Sequence, residues 1–140
     1  MREILFRAKN KDDEWFYGYY VFERKRTGAF GQIITELDYD RHLIIEKNRS
    51  VCEINPETLG QYIGLKDKNG KKIFEGDILY DNFYKRNLLV KYVVEWGRYI
   101  LDEIDDRDGN WLAFENVDFI EDIEIIGNIY NNPDLLGENK

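Results

Sequence analysis

Short apolar runs separated by polar turns extend along the first part of the chain, and their spacing suits β-strands. Ile4–Ala8 and Trp15–Phe22 lie on either side of a polar run, which predicts a hairpin. Phe30–Leu37 and His42–Glu46 flank a second polar stretch, residues 38–41, and predict another pair of short strands. The N-terminal part is therefore expected to be rich in β-hairpins.

Two Asn-Pro-acid sequences predict helical structure. In Asn55-Pro56-Glu57 the asparagine suits an N-cap, the proline suits the first helical position and the glutamate suits the first turn. Gly60 and Gly64 follow closely and limit this helix to one turn. Asn132-Pro133-Asp134 repeats the pattern near the end of the chain. Only short helical turns are therefore expected.

Glycine-rich turns separate the apolar runs of the second half. Asn69-Gly70, between Gln61–Leu65 and Ile73–Phe74, predicts a hairpin with a type I′ turn, which needs positive φ at both central positions. Gly76-Asp77 predicts another tight bend, in which the aspartate side chain bonds nearby backbone amides. Short strands at close spacing after residue 60 indicate a small barrel or sandwich. The further strands are expected at Ile78–Tyr80, Leu88–Trp96, Tyr99–Leu101, Trp111–Phe114 and Ile123–Tyr130.

The composition agrees with a folded β protein, and its charge is uneven. Hydrophobic residues make up 43% and aromatic residues 15% of the 140, which favours a packed, pleated core. The net charge is −8, and the whole excess of acids lies in residues 71–140. Ten acids and one base occur from Asp102 to Glu124, so this segment would repel a phosphate backbone. The same run could instead imitate a nucleic acid and capture a basic protein.

Residues that could support nucleophilic catalysis are few. His42 and Cys52 are the only residues of their types, and no nucleophile motif surrounds them. A solvent-facing turn histidine and a small buried thiol are therefore expected. The same counts exclude an internal zinc finger, and the glycine spacing does not match a phosphate-binding loop. We expect no cofactor and no enzymatic activity.

The acidic run invites a calcium interpretation through Asp105, Asp106 and Asp108. A calcium loop that starts at Asp106 places Trp111 where a glycine is required, and one that starts at Glu103 places a basic residue among the ligands. A solvated hairpin turn is the preferred interpretation, and no metal is expected. A metal-dependent hydrolase that uses the acidic cluster is kept as a second, less favoured alternative.

A long central segment resembles a known family. Residues 54–78, INPETLGQYIGLKDKNGKKIFEGDI, strongly resemble the signature of the YopX-like family of bacteriophage and prophage proteins. Arg2–Ala8 and Ile126–Leu136 resemble the usual start and end of the family. The resemblance implies a mainly β fold, with a β-rich N-terminal region at 1–54 and an SH3-type small barrel at 55–140. It implies phage or prophage origin, and it brings no catalytic residues.

The leading functional hypothesis is a non-catalytic binding module that contacts another protein, because a small barrel with exposed loops and an acidic half suits recognition. Its acidic candidates are Asp105, Asp106 and Asp108. The alternative is nucleic-acid binding through a charged loop at residues 23–28. In that case the contacts would come from a basic and aromatic set consisting of Arg24, Lys25, Arg26, Lys9, Lys11, Tyr17, Tyr19 and Tyr20.

The expected location is the cytoplasm. The start of the chain does not have the form of a signal peptide, no apolar run approaches the length of a membrane span, and a lone cysteine fits a reducing compartment. Self-association through an unpaired strand edge of the N-terminal part is left open.

Overall fold

The computed structural model describes residues 1–25, 39–119 and 121–137. In this part the chain is mainly β, as the sequence predicts, and its helical structure consists of short 3-10 turns at 56–58, 94–96, 114–116 and 133–136. None of these helical turns has the length and apolar character needed to cross a membrane. The described strands are β1 (Phe6–Lys9), β2 (Trp15–Lys25), β3 (Tyr39–Ile45), β4 (Val51–Glu53), β5 (Gly60–Lys66), β6 (Lys72–Phe74), β7 (Asp77–Asp81), β8 (Arg86–Val93), β9 (Arg98–Glu103), β10 (Trp111–Leu112) and β11 (Ile123–Asn128).

The chain forms two compact units. One is Ile4–Gly60, and the other is Gln61–Lys140 together with Met1–Glu3. The predicted domain ranges, 1–54 and 55–140, stay a prediction.

The N-terminal unit is built on successive antiparallel strands in the order β4-β3-β2-β1. Its core consists of Ala8, Ile44 and Ile54, against which partly buried aromatic and aliphatic side chains pack. Gly18 lies at a close approach of two strands, where an added Cβ would come 2.1 Å from the carbonyl oxygen of Ile45. The strand needs glycine there because no side chain fits.

The predicted loop at residues 23–28 is wrong for its first part, because β2 continues to Lys25. Its partner β3 starts at Tyr39, so the predicted polar turn at 38–41 is also strand from residue 39 onwards. Cross-strand ion pairs join Arg24 to Asp40 at 2.9 Å and Arg41 to Glu23 at 3.6 Å. Opposite charges on neighbouring strands attract each other, and here they stabilise the charged end of the β2–β3 pair. The predicted strand Phe30–Leu37 lies outside the described residues.

The C-terminal unit contains the β5–β6 hairpin and an antiparallel sheet in the order β10-β9-β8-β7-β11. Apolar side chains pack on both faces of this sheet, because successive residues of a strand point to opposite faces. One face packs around Leu79, Leu88 and Leu101, which are fully buried. The other buries Ile78, Leu89 and Ile104 under Ile129, Leu135 and Leu136.

The SH3-type barrel is not confirmed. The strands β10 and β11 form the two ends of the five-stranded order, and among the described residues no strand pair joins them. β10 has only two residues, which leaves little backbone for such a pairing. The unit is an open sheet in its described part.

The hairpin at Asn69-Gly70 is confirmed, but the predicted type I′ turn is wrong. Gly70 has φ +79°, whereas Asn69 is not among the described residues with positive φ. Gly70 N–H donates to the Asp67 carbonyl, and Asp67 N–H donates to the Lys71 carbonyl. This is the three-residue loop with a glycine bulge. The Asp67 carboxylate selects it, because it accepts the N–H groups of Asn69 and Lys71, both at 2.9 Å.

Candidate functional site

Exposed aromatic side chains come together from the turn between β8 and β9 and from β10. The predicted strand Leu88–Trp96 ends at Val93, and residues 94–96 form a 3-10 turn that Gly97 closes with φ +60°. This positive φ, which favours glycine, turns the chain so that β9 can begin at Arg98. We define the aromatic surface as Trp96, Arg98 and Trp111, in which Trp111 contacts the other two residues.

Two tryptophans form the centre of the aromatic surface. Trp96 is 53% and Trp111 is 42% exposed, and their ring centroids are 5.0 Å apart. The Arg98 guanidinium lies 5.7 Å from the centre of the Trp111 ring, and it reaches Glu115 at 3.9 Å. Two large rings are thus held against each other, and neither is buried in the core.

A groove of ≈ 540 Å³ adjoins the aromatic surface, with Tyr92, Arg98 and Tyr99 among its lining residues. The Tyr99 hydroxyl donates to Glu75 at 3.2 Å, and its ring stacks on Phe114. Burial and the nearby Glu75 carboxylate raise the pKa of Tyr99 above its ordinary value of 10.0. The hydroxyl therefore keeps its proton to a higher pH than an ordinary tyrosine does.

A second, smaller groove of ≈ 210 Å³ lies beside the turn between β7 and β8. Phe83 and Tyr84 at this turn are 67% and 63% exposed, with ring centroids 4.8 Å apart in an edge-to-face arrangement. Asp118 and Asp122 are also among its lining residues. We call it the hairpin groove and define it by its lining residues Asp81, Phe83, Tyr84, Asn116, Val117, Asp118 and Asp122.

The predicted basic loop is not presented as a free cationic surface in the described residues. Arg24 is bonded to Asp40 through Nε, and this hydrogen bond, together with the charge of Asp40, raises the pKa of Arg24. Lys25 is the last residue of β2, opposite Tyr39. Arg26 lies outside the described residues.

The other members of the predicted basic and aromatic set differ in their exposure to solvent. Lys9 is buried and bonded to Asp13 at 2.8 Å. Lys11 is exposed in the turn after β1. Tyr17 and Tyr19 are exposed on one face of β2, whereas the hydroxyl of Tyr20 is paired with His42 at 2.7 Å. Because successive strand residues point to opposite faces, the three tyrosines cannot form one platform.

The acidic candidates form a turn. The Asp106 carboxylate accepts the N–H groups of Asp108 and Asn110 at 2.9 and 3.1 Å, and Gly109 has φ +72°. Asp105 and Asp108 are exposed beside it. In the part of the chain that the structure describes, no group of three His, Cys, Asp or Glu side chains could hold a metal ion.

The two residues considered for nucleophilic catalysis, His42 and Cys52, are not among the lining residues of either groove. His42 is a half-buried residue of β3 that stacks on Tyr20, so the predicted solvent-facing turn position is wrong. Cys52 is in β4, and burial, followed by the charge of Glu46, raises the pKa of its thiol. A reactive cysteine needs the opposite shift.

The predicted structural turns have the expected local bonding partners. Asp77 is almost fully buried, and its carboxylate accepts the Phe74 N–H at 2.8 Å across the bend at Gly76, where φ is +83°. Asn55 accepts the N–H of Glu57 at 3.0 Å as the N-cap of its 3-10 turn. These polar groups fix the backbone.

Sequence reasoning missed both exposed aromatic sites. The predicted strands Leu88–Trp96 and Trp111–Phe114 include both tryptophans. A predicted strand does not indicate whether a side chain at its end is buried. The available signal was Trp96-Gly97-Arg98, where a tryptophan immediately precedes a turn glycine. Phe83 and Tyr84 fall between the predicted strands, in a segment without a glycine to mark the turn.

The fold is similar to one solved structure described as the crystal structure of protein EF1440 from Enterococcus faecalis. The two chains are 23% identical, with a TM-score of 0.57, over 98% of this chain and 100% of that one. This likeness shows the fold alone. A search of curated proteins found no match. The YopX protein family matches residues 5–137, nearly the whole chain, and the protein therefore belongs to the YopX family.

Proposed function

We propose that this protein is a non-catalytic binding module that contacts another protein through its aromatic surface. The observation that carries the proposal is the half-exposed pair of Trp96 and Trp111 with Arg98 beside it. Tryptophan, tyrosine and arginine are the residues that most often dominate the binding energy of protein interfaces. A contiguous patch of them on a surface marks an interaction site.

The position of the aromatic surface suits such a role. Trp96 belongs to the 3-10 turn that Gly97 closes and Trp111 to the strand β10, so binding would require little ordering of the backbone that carries them. Arg98 connects the surface to the adjoining groove, whose lining also includes Glu75. An apolar centre with a polar border is the usual composition of a protein interface.

Phage or prophage origin, and action in the cytoplasm, belong to the same proposal. The first is supported by the family resemblance of residues 54–78. The second is supported by the single cysteine, which fits a reducing compartment.

The test compares three versions of the immobilised protein in a bacterial lysate. The wild type and the control Y17A/Y19A, which removes two exposed aromatic rings elsewhere, should retain the same protein in stoichiometric amounts. The variant W96A/W111A should lose it while keeping the circular dichroism spectrum of the wild type. Equal retention by all three versions, or no retained protein over a range of salt concentrations, would contradict the proposal.

A further inference from the structure

The turn between β7 and β8 presents two aromatic rings to solvent on a rigid support. The Asp81 carboxylate accepts the N–H groups of Phe83 and Tyr84 at 3.0 and 3.2 Å, and Lys85 closes the turn with φ +55°. Asp81 itself is buried and paired with Arg86 at 3.1 Å. The exposure of these rings is therefore built into a fixed turn.

The opposite wall of the hairpin groove is fixed to this turn. The backbone and side-chain N–H groups of Asn82 both donate to the carbonyl of Asp122, at 2.9 and 2.8 Å. The carboxylate of Asp118 accepts the N–H of Glu121 at 3.0 Å. The groove thus has a defined shape between the aromatic turn and the segment before β11.

The charged residues that line the hairpin groove are all acidic. Its lining residues include three aspartates and no lysine or arginine. The Asp81 carboxylate is paired with Arg86, so the remaining acidic residues of the lining are Asp118 and Asp122. Lys85 is exposed at the turn but does not line the groove. The wider surroundings are also acidic, because residues 61–140 contain seventeen Asp and Glu against ten Lys and Arg.

Aromatic rings next to carboxylates are suited to bind an organic cation, because the ring face is negative and the carboxylates add charge attraction. The turn already shows this chemistry, since the Arg86 guanidinium lies 4.6 Å from the centre of the Tyr84 ring. We propose that the hairpin groove receives the lysine or arginine side chain of a partner protein. This deepens the proposed function by naming the chemistry of a contact at a second site.

The test titrates the ¹⁵N-labelled full chain with hexalysine or hexa-arginine and follows its backbone amide resonances. Saturable shifts should concentrate at Phe83, Tyr84, Val117 and Asp122, and hexaglutamate should cause none. The variant F83A/Y84A should bind the peptides at least tenfold more weakly. Its thermal unfolding should match that of the wild type, because both rings are exposed. Hexalysine and hexa-arginine distinguish an ammonium from a guanidinium preference.

A charge-matched control separates this site from general attraction to an acidic protein. D122N removes a carboxylate from the groove, whereas D134N removes one from an exposed position that does not line it. D122N should weaken binding several-fold more than D134N. Equal effects, or shifts spread over all acidic segments, would overturn the proposal. The pull-down with W96A/W111A would be unaffected by that result, so the two proposals can fail separately.

Discussion

The carboxylate of Asp67 accepts a hydrogen bond from the backbone N–H of Ile125 at 3.0 Å, which ties the turn between β5 and β6 to β11. The same side chain also organises its own turn through the N–H groups of Asn69 and Lys71. Lys68 N–H adds a bond to the carbonyl of Ile123. One buried aspartate therefore joins two segments of the C-terminal unit that are far apart in sequence.

Replacing Asp67 by alanine should lower the free energy of unfolding by about 3 kcal/mol, because three backbone N–H groups would lose a charged acceptor. The matched control is D106A, which removes two bonds of the same spacing within a turn. It should cost about 1 kcal/mol. Urea unfolding of both variants checks the difference, and equal losses would show that the bond to Ile125 contributes nothing.

Gly18 should tolerate no side chain. An alanine there would place Cβ 2.1 Å from the Ile45 carbonyl oxygen, so the β2–β3 pair would have to separate. We expect G18A to destabilise the protein by about 3 kcal/mol. G70A is the control, because its Cβ would meet nothing within 4 Å and only the positive φ opposes it. That variant should lose about 1–2 kcal/mol in thermal or urea unfolding, and the prediction fails if G18A is the milder change.

The raised pKa of Tyr99 predicts a stability loss at alkaline pH. The unfolded chain ionises this phenol near its ordinary value of 10.0, whereas the folded chain keeps it protonated to higher pH. The stabilisation is therefore complete below pH 10.0 and is lost as the pH rises through the folded pKa. Y99F removes this contribution. Its unfolding free energy, measured by urea titration from neutral to alkaline pH, should fall less steeply above pH 10.0 than that of the wild type; parallel curves would contradict the assignment.

The pairing of Arg24 with Asp40 predicts weak interaction with nucleic acids. We expect a single-stranded oligonucleotide at low salt to show no saturable binding in a gel-shift or anisotropy measurement, because the guanidinium already has a carboxylate partner and the net charge of −8 repels phosphate. R24A should leave this result unchanged. Binding that weakens steeply with salt and disappears in R24A would instead support the alternative function.

The local features of this fold were predictable from the sequence where a residue type is tied to a backbone geometry. The N-cap at Asn55, the bend at Gly76 and the hairpin at Gly70 each depend on neighbouring residues. The type of that hairpin was not predictable in the same way, because Asp67 two residues before Asn69 changes the preferred turn by bonding to its N–H.

The features that sequence reasoning missed depend on contacts between distant segments. The hydrogen bond from Ile125 to Asp67 joins residues 58 positions apart, and no local sequence pattern predicts it. The extension of β2 to Lys25 depends on ion pairs with a strand that begins at Tyr39. The exposure of Trp96 and Phe83 likewise depends on which neighbours the fold supplies, because an aromatic residue in an apolar run is equally compatible with a core position.

The side-chain bonds of Asp67 recur at two other turns. Asn10 accepts the N–H groups of Asp12 and Glu14, and Asp106 accepts those of Asp108 and Asn110. In each case one side chain accepts the N–H groups two and four residues later, which fixes the number of residues in the loop. These three loops therefore cannot vary in length, since a single inserted residue would invert which side chains of the next strand face inward. Natural insertions or engineered tags should therefore be rejected at all three turns.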